Sequence, residues 1–357
     1  QEYPQYKLIF MERSGGLELA GTIEPKGPSE FGENTVLGIF REMNFKGNLS
    51  VSNLREFCMR GSLGEKVENL LLVRGVEPQK GRDETLEFKV KPSTSKPTFV
   101  KGKHGQIDYH DLHLFENTAK DQVVARLIPP EKGKPGVTVT GEVLPAEDGR
   151  MMSSPPRAGK HVKVEPDTEL GGKKFTAMME GRVLYENGEI SVSDSFVIDG
   201  NVDFSVGHIN FVGSVEVKGD ILNDFNVKAG KNLLVEGNVG VSVVECAGDI
   251  KLGGMSGDGK GVIRCGGSLV ARYLSGVEVE CDGDVVVENG VVNCAIKSGG
   301  QVRVSGKIMG GETMALRGVE ADTLGSDVGV RTKIMSGACF RALERIRIIH
   351  EELDPLT

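Results

Sequence analysis

From Ile198 onward apolar residues stand two apart in short runs, as at Val215 and Val217, at Val277, Val279 and Cys281, and at Val285 and Val287. A period of two is that of a strand with one buried face. Between the runs recur five-residue groups of an apolar residue, a spacer, Gly, a polar residue and an aliphatic. They are Ile198-Asp199-Gly200-Asn201-Val202, Val217-Lys218-Gly219-Asp220-Ile221, Val235-Glu236-Gly237-Asn238-Val239, Cys246-Ala247-Gly248-Asp249-Ile250, Cys265-Gly266-Gly267-Ser268-Leu269, Cys281-Asp282-Gly283-Asp284-Val285 and Val304-Ser305-Gly306-Lys307-Ile308. Their starts differ by 19, 18, 11, 19, 16 and 23. A second series that adds Ala229-Gly230 and Ser298-Gly299 runs through 229, 246, 265, 281 and 298, in steps of 17, 19, 16 and 17. Short strands repeating about every eighteen residues predict a mainly β fold, a right-handed parallel β-helix of about eight coils over residues 198–337. The Gly-Asp and Gly-Asn corners read as bends whose residues supply positive φ.

The pattern before the solenoid differs and predicts a smaller α+β and β-rich N-terminal region. Residues 1–100 mix strand-like runs (7–10 and 86–90) with two helix-like segments, 52–60 after a serine cap and 65–71, and form an N-terminal α+β domain. Residues 101–195 form a β-rich connecting domain punctuated by Pro129-Pro130, Gly133-Lys134-Pro135-Gly136 and Pro155-Pro156. The solenoid occupies 196–338. In 339–357 the period changes: Phe340, Leu343, Ile346, Ile349 or His350, and Leu353 recur at three to four, the signature of an amphipathic helix. A solenoid has open strand edges at both ends. The segment ending near Ser195 is expected to cover the first end, and the helix the second. The same helical face (Leu343, Ile346, His350, Leu353) has a and d spacing, so in a longer chain it is expected to support self-association.

Composition narrows the function classes. Forty-nine Gly in 357 residues is about 14%, twice the ordinary share of about 7%, and excludes a helical bundle. With 38% hydrophobic residues and no apolar run near the ~18 residues of a membrane span, the chain reads as globular, with no integral membrane segment. A net charge of −8, 5% aromatics and no Trp argue against a nucleic-acid partner. Six widely spaced Cys without a CxxC pair suit reduced thiols in a cytoplasm. The first thirty residues hold no apolar h-region.

Several groups invite a chemical reading. The stretch Gly254 to Lys260 has the phosphate-loop spacing GxxxxGK, but Gly261 stands where Ser or Thr would hold magnesium, and a strand follows instead of a helix. His104, Asp108, His110, Asp111 and His113 carry the donors of a zinc or iron site, although His110 and His113 would fall on opposite faces of a strand, and a polar connection is the ordinary reading. Cys246, Cys265 and Cys281 occupy the repeat position that Val217 and Val235 hold in other coils and are expected to stack inward as a core column. Asp220, Asp249 and Asp284 sit at corners, without the GGxGxD of calcium-binding solenoids. The enzymatic alternative is a hexapeptide-type acyltransferase: Ile209, Val215, Ile221, Val227, Leu233 and Val239 recur every six residues, with His208 as the candidate base, but the hexad fails at Glu245.

Several segments together resemble the bacterial flagellar assembly protein A family over almost the whole chain. They are Val73-Arg74-Gly75-Val76-Glu77-Pro78 through Gly81-Arg82-Asp83, Ala125-Arg126-Leu127-Ile128-Pro129-Pro130 leading to Gly133 through Gly141, Ala158-Gly159-Lys160-His161-Val162, Gly200-Asn201-Val202-Asp203-Phe204 with Gly213-Ser214-Val215, Gly306-Lys307-Ile308-Met309-Gly310-Gly311, and Gly325-Ser326 followed by Thr332. The resemblance implies an N-terminal α+β domain, a solenoid and a C-terminal helical region. It carries over no catalytic motif, and His161 and His208 stand where Asn is frequent in the family. The expectation is therefore a non-catalytic scaffold or assembly factor without cofactor, cytoplasmic and associated with the membrane or pole, acting through protein partners in flagellar or cell-pole assembly.

Overall fold

The computed structural model describes residues 3–27, 31–93, 114–327 and 329–353. Two compact units emerge, Gln1–Leu86 with Leu127–Pro155 and Thr168–Gly172, and Glu87–Arg126 with Pro156–Asp167 and Lys173–Thr357. The first unit holds an antiparallel sheet of β1 (Tyr6–Arg13), β2 (Glu18–Pro25), β3 (Asn48–Leu49) and β4 (Val67–Arg74) in the order β1-β2-β4-β3, with helices α1 (Glu33–Glu42) and α2 (Val51–Ser62). Leu8, Leu19 and Ile23 of the sheet form one core with Val36 and Phe40 of α1 and Leu54 and Phe57 of α2. Helix α2 covers the expected 52–60, with Ser50 at its N-cap but no side-chain capping bond. Of residues 65–71, expected to be helical, 67–71 belong instead to β4 and 65–66 lead into it. Asn69 has φ 58° and the pairing with β2 shifts register, so the apolar residues lose strict alternation and mimic a helical spacing. The Pro- and Gly-rich runs are held by backbone bonds: Val76 with Val137, Gln79 with Lys134, Gly81 with Glu147. Carboxylates of Asp83, Asp148 and Glu84 accept the amides of Arg150, Gly133 and Met152.

The second unit contains the solenoid, a parallel β-solenoid of about 8 turns with about 17 residues per turn. Register resolves three walls. On the first, Ile198, Val217, Val235, Leu252, Ala271, Val287 and Val304 stack inward. The second stacks Val202, Ile221, Val239, Met255, Leu274, Val291 and Ile308. The third stacks Phe211, Ala229, Cys246, Cys265, Cys281, Ser298 and Ala315. The irregular intervals of 11 and 23 now have a cause. The first sequence series passes from first-wall positions (198, 217, 235) to third-wall positions (246, 265, 281) and back at 304. The even series 229 to 298 is the third wall throughout. The hexad marks one residue per wall and breaks where Val239 to Val244 spans five residues. The three cysteines face inward as expected, but their column is that of Ala229 and Ser298, not of Val217 and Val235.

The corners also differ from expectation in mechanism. Gly219, Gly237, Gly248, Gly267, Gly283 and Gly300 all lie outside the left-handed region. Positive φ recurs at the bend between the second and third walls, at Asp224 (67°), Gly276 (61°), Asn293 (50°), Gly310 (73°) and Gly311 (76°), and appears after the third wall only in the last turns, at Gly318 (127°) and Gly337 (80°). At Gly219, Gly237, Gly267 and Gly300 the requirement is space. A Cβ there would overlap Oδ1 of Asn201, Asp220, Asp249 and Asp284 respectively, one turn earlier. Each of those oxygens accepts the amide N–H of the residue after the glycine: Asp220 to Asn201 (2.9 Å), Asn238 to Asp220 (2.7 Å), Ser268 to Asp249 (2.8 Å), Gln301 to Asp284 (2.7 Å). The corner aspartates and asparagines therefore serve as rungs that satisfy the amides of the next turn, each contributing about 0.5–1.5 kcal/mol.

The first end of the solenoid is covered. Asn117 imitates a neighbouring strand, its Nδ2–H donating to Asn210 O (3.1 Å) and its Oδ1 accepting from Val212 N–H (3.3 Å). Phe115 packs on Phe196 and Phe211, and Arg182 lies 4.6 Å over the Phe196 ring while donating to Ser93 Oγ and Ser195 O. The second end is not covered by the C-terminal helix, α3 (Phe340–Leu353). Helix α3 instead stands against the outside of the third wall, with Arg341 Nε–H donating to Asp282 Oδ1 (2.7 Å) and Phe340 buried in a cavity shared with Lys297 and Met314. In the last turn Leu324 is 56% exposed and Val319, Ala321 and Ile334 are only partly buried. At 100° per residue Phe340, Arg341 and Glu344 share the docked side of α3, while Ile346 and Ile349 point the other way. The capping role expected of the apolar face is thus overturned: the helix docks on the third wall through Phe340, Arg341 and Glu344, with Leu343 alone of that face at the edge of the contact. Among the described residues, no helix is long and apolar enough to cross a membrane.

Candidate functional site

His208, the only base that the sequence offered, belongs to a corner ladder. Its Nδ1 accepts the N–H of Asn226 (3.1 Å), and Asn226 Oδ1 accepts that of Val243 one turn on (2.9 Å). The imidazole does at this rung what an asparagine does at the next, and accepting on Nδ1 fixes a tautomer whose proton is on Nε2. The ring borders a cleft of about 580 Å3 at the covered end, with Phe115, Phe196, Glu116 and Asn117. Glu116 Oε2 already accepts the Lys91 amide, and among the described residues no Ser or Cys lines the cleft.

The thiol column is chemically quiet. Cys246, Cys265 and Cys281 donate to the carbonyls of Lys231 (2.7 Å), Gly248 (3.2 Å) and Gly267 (3.1 Å), as Ser298 does to Gly283 (2.8 Å). Burial pushes the Cys246 thiol up to about 11. A hydrogen bond donated to Cys265, and then burial, pushes the Cys281 thiol up, while the same bond lowers Cys265. Cys246 and Cys281, held protonated, are poor ligands and poor nucleophiles. The GxxxxGK stretch is part of strand Ile250–Cys265, with a bend at Asp258 (φ 48°) and Gly259 (73°), and Val262 to Cys265 pair with Val243 to Cys246. A strand, and not a helix, follows the loop. His104, Asp108, His110, Asp111 and His113 lie outside the described residues, and among the described residues no group of three or more His, Cys, Asp or Glu is placed to hold a metal.

What the walls offer is surface. On the third wall the outward residues form a ladder of alternating charge: Lys228 to Glu245 (3.1 Å), Glu245 to Arg264 (2.8 Å) and Glu280 to Lys297 (3.0 Å). Lys228 and then Arg264 hold the Glu245 carboxyl below its ordinary range. On the first wall the outward positions include Val197, Leu234, Val270 and Val286, separated by Glu216 and Lys251. Val197, Leu234 and Val270, with Glu216 and Lys251, line an open trough of about 480 Å3, rimmed by the ladder residues Asn232, Asp249 and Ser268. The third surface is the outward face of α3, where Ile346 and Ile349 are 50 and 47% exposed, while Leu343 at its border lines the cavity with Phe340, Lys297 and Met314. Sequence reasoning found that face but not the trough. Its signal was present in the unbroken run Leu233-Leu234-Val235, where strict alternation demands a polar residue.

Comparison with known families gives two matches. The model described as the Flagellar Assembly Protein A beta solenoid domain matches residues 194–356, and that described as the Flagellar Assembly Protein A N-terminal region matches residues 16–188. No curated protein and no solved structure matches the chain.

Proposed function

The chain belongs to the flagellar assembly protein A family, and from that premise we propose that it is a non-catalytic scaffold of flagellar or cell-pole assembly, working in the bacterial cytoplasm at the membrane or pole through protein contacts. The observation that carries the reading is the outer face of the first wall, where Val197, Leu234, Val270 and Val286 present aliphatic side chains on a rigid, register-locked sheet. A stacked sheet of this kind holds contact residues at fixed ~4.8 Å intervals, so a partner docks with little ordering cost on the scaffold side. The acyltransferase alternative is weakened because His208 spends Nδ1 on a backbone amide, which leaves Nε2 carrying the proton and the ring without a free lone pair to act as base. Two measurements test the reading. Acetyl-CoA and nucleotides should leave the melting temperature unchanged, whereas a tight ligand at saturating excess adds several kcal/mol to stability. Cross-linking in the native host should capture a flagellar or polar protein on wild type and lose it on Leu234→Asp; a saturable acetyl-CoA shift or unchanged capture would reject the proposal.

A further inference from the structure

The last turn of the solenoid leaves both its bonding groups and its interior open. On the first wall the inward residue of each turn donates its N–H to the next turn, as Leu233 does to Asp249 O (2.9 Å), Ile250 to Ser268 O (2.9 Å) and Leu269 to Asp284 O (2.8 Å). On the third wall inward carbonyls accept from the next turn, Cys265 O from Asp282 and Cys281 O from Gly299. Val319 ends the first of these columns and Ser336 the second. Among the described residues their strands, Gly318–Leu324 and Thr332–Ser336, pair only with Gln301–Ala315. On the second wall Leu324 follows the fully buried Val291 and Ile308 but is itself 56% exposed. The charge ladders stop at opposite signs. Arg303 pairs with Glu320 (3.1 Å), so the first wall ends on an acid, and Glu312 pairs with Lys333 (2.8 Å), so the third ends on a base. Asp322 and Arg331, two residues from these, are exposed and repeat the signs; the other charges of the turn, Arg317 and Asp327, lie outside both strands.

We propose that a second copy of the chain closes this end, the two solenoids meeting end to end about a two-fold axis through the second wall. The proposal goes beyond the scaffold reading and does not rest on it. Such an axis exchanges the first and third walls, so Gly318–Leu324 of each copy lies antiparallel to Thr332–Ser336 of the other. Inward residues of both strands present N–H and C=O to the joint, which is the condition for the paired bonds of an antiparallel ladder. Keeping apolar residues inside fixes the register in steps of two and sets Asp322 opposite Arg331 or Lys333 of the second copy. The exposed Leu324 of each copy is buried at the joint, and the ladder runs on with alternating sign from Arg303 and Glu320 to Lys333 and Glu312 of the second copy. A two-fold axis through the first or third wall would lay acids on acids or bases on bases. Head-to-tail stacking is closed off, because Asn117 and Phe115 already occupy the first end. Each copy therefore offers the same end, the contact is isologous, and it stops at a dimer.

The test uses the purified chain. Light scattering after size exclusion should give a dimer for wild type and a monomer with unchanged circular dichroism for Leu324→Asp. Two double variants test the exchange of walls. Glu320→Lys with Asp322→Lys makes both strands of the end basic, and Arg331→Glu with Lys333→Glu makes both acidic. Each alone should dimerise at least about tenfold more weakly than wild type, since attraction turns to repulsion at both symmetric contacts. Mixed in equal amounts they should form a heterodimer of wild-type affinity, because each acidic strand then meets a basic one. That recovery also shows that both variants fold. A wild-type monomer, a polymer longer than a dimer, a dimer indifferent to Leu324→Asp, or a mixture that stays monomeric each overturns the proposal. None of these outcomes touches the scaffold reading, which stands or falls on partner capture in the host.

Discussion

The corner ladder makes a sharp demand at Gly240, whose φ lies outside the left-handed region and whose missing Cβ faces the side chain of Asn223. Asn223 Oδ1 accepts the Val241 amide at 2.8 Å. In Gly240→Ala the new methyl overlaps that oxygen, and forcing it in costs roughly 1–3 kcal/mol, as overpacking does, against a gain of about 0.4–1 kcal/mol from the stiffer unfolded chain. Asn223→Ala removes one rung at a partly solvated corner, a loss of about 0.5–1.5 kcal/mol. With both changes the methyl has room and the unfolded-chain gain remains, so the double variant should be no less stable than Asn223→Ala alone. The coupling should therefore be at least about 1 kcal/mol in favour of the pair. Urea unfolding followed by far-ultraviolet circular dichroism, with hydrogen exchange of the peptide containing Val241 as a local readout, measures the cycle. Additivity within about 0.5 kcal/mol would show that the oxygen is not what excludes a side chain at this glycine, and the ladder account would fall.

Other consequences follow from the same contacts. His208→Asn should keep the melting temperature, because an amide oxygen can replace Nδ1 as acceptor, whereas His208→Ala should lower stability by about 1 kcal/mol and raise exchange at Asn226. A thiol reagent at pH 8 should modify Cys339 promptly, and the five buried cysteines only at the rate of unfolding; fast labelling of two or more would contradict the inward column. Cys246 has its folded pKa raised to about 11 from 9.0, so its contribution is full below pH 9 and is lost as pH climbs toward 11; melting temperature should fall over that window, and less so in Cys246→Ala.

Much of this fold was legible in the sequence, and what was missed has definite causes. The period appeared because every turn must place an aliphatic residue on each wall, as Val217, Ile221 and Val227 do. Two series seemed to be one because two corners use the same apolar-x-Gly-polar phrase, at Val217 and at Cys246. The glycines were misread as bends because a sequence shows which residue lacks a side chain but not whose oxygen fills the space one turn away. Strand β4 passed for a helix because a bulge at Asn69 destroyed its alternation. The amphipathic character of α3 was visible, but the docking of its polar side depends on Asp282, about sixty residues distant in the chain, which no local pattern reveals. For the site, His208 was found as a residue but its role was not, since its partner Asn226 lies one turn further along.

The central claim is that the solenoid acts through its surface and not through His208. Counting flagella per cell in a deletion strain complemented with single variants tests it directly. His208→Asn, which keeps the ladder and removes the base, should restore wild-type flagellation. Leu234→Asp, which charges the first-wall trough while leaving the core untouched, should fail to restore it at equal protein level. Restoration by Leu234→Asp together with loss in His208→Asn would contradict the account.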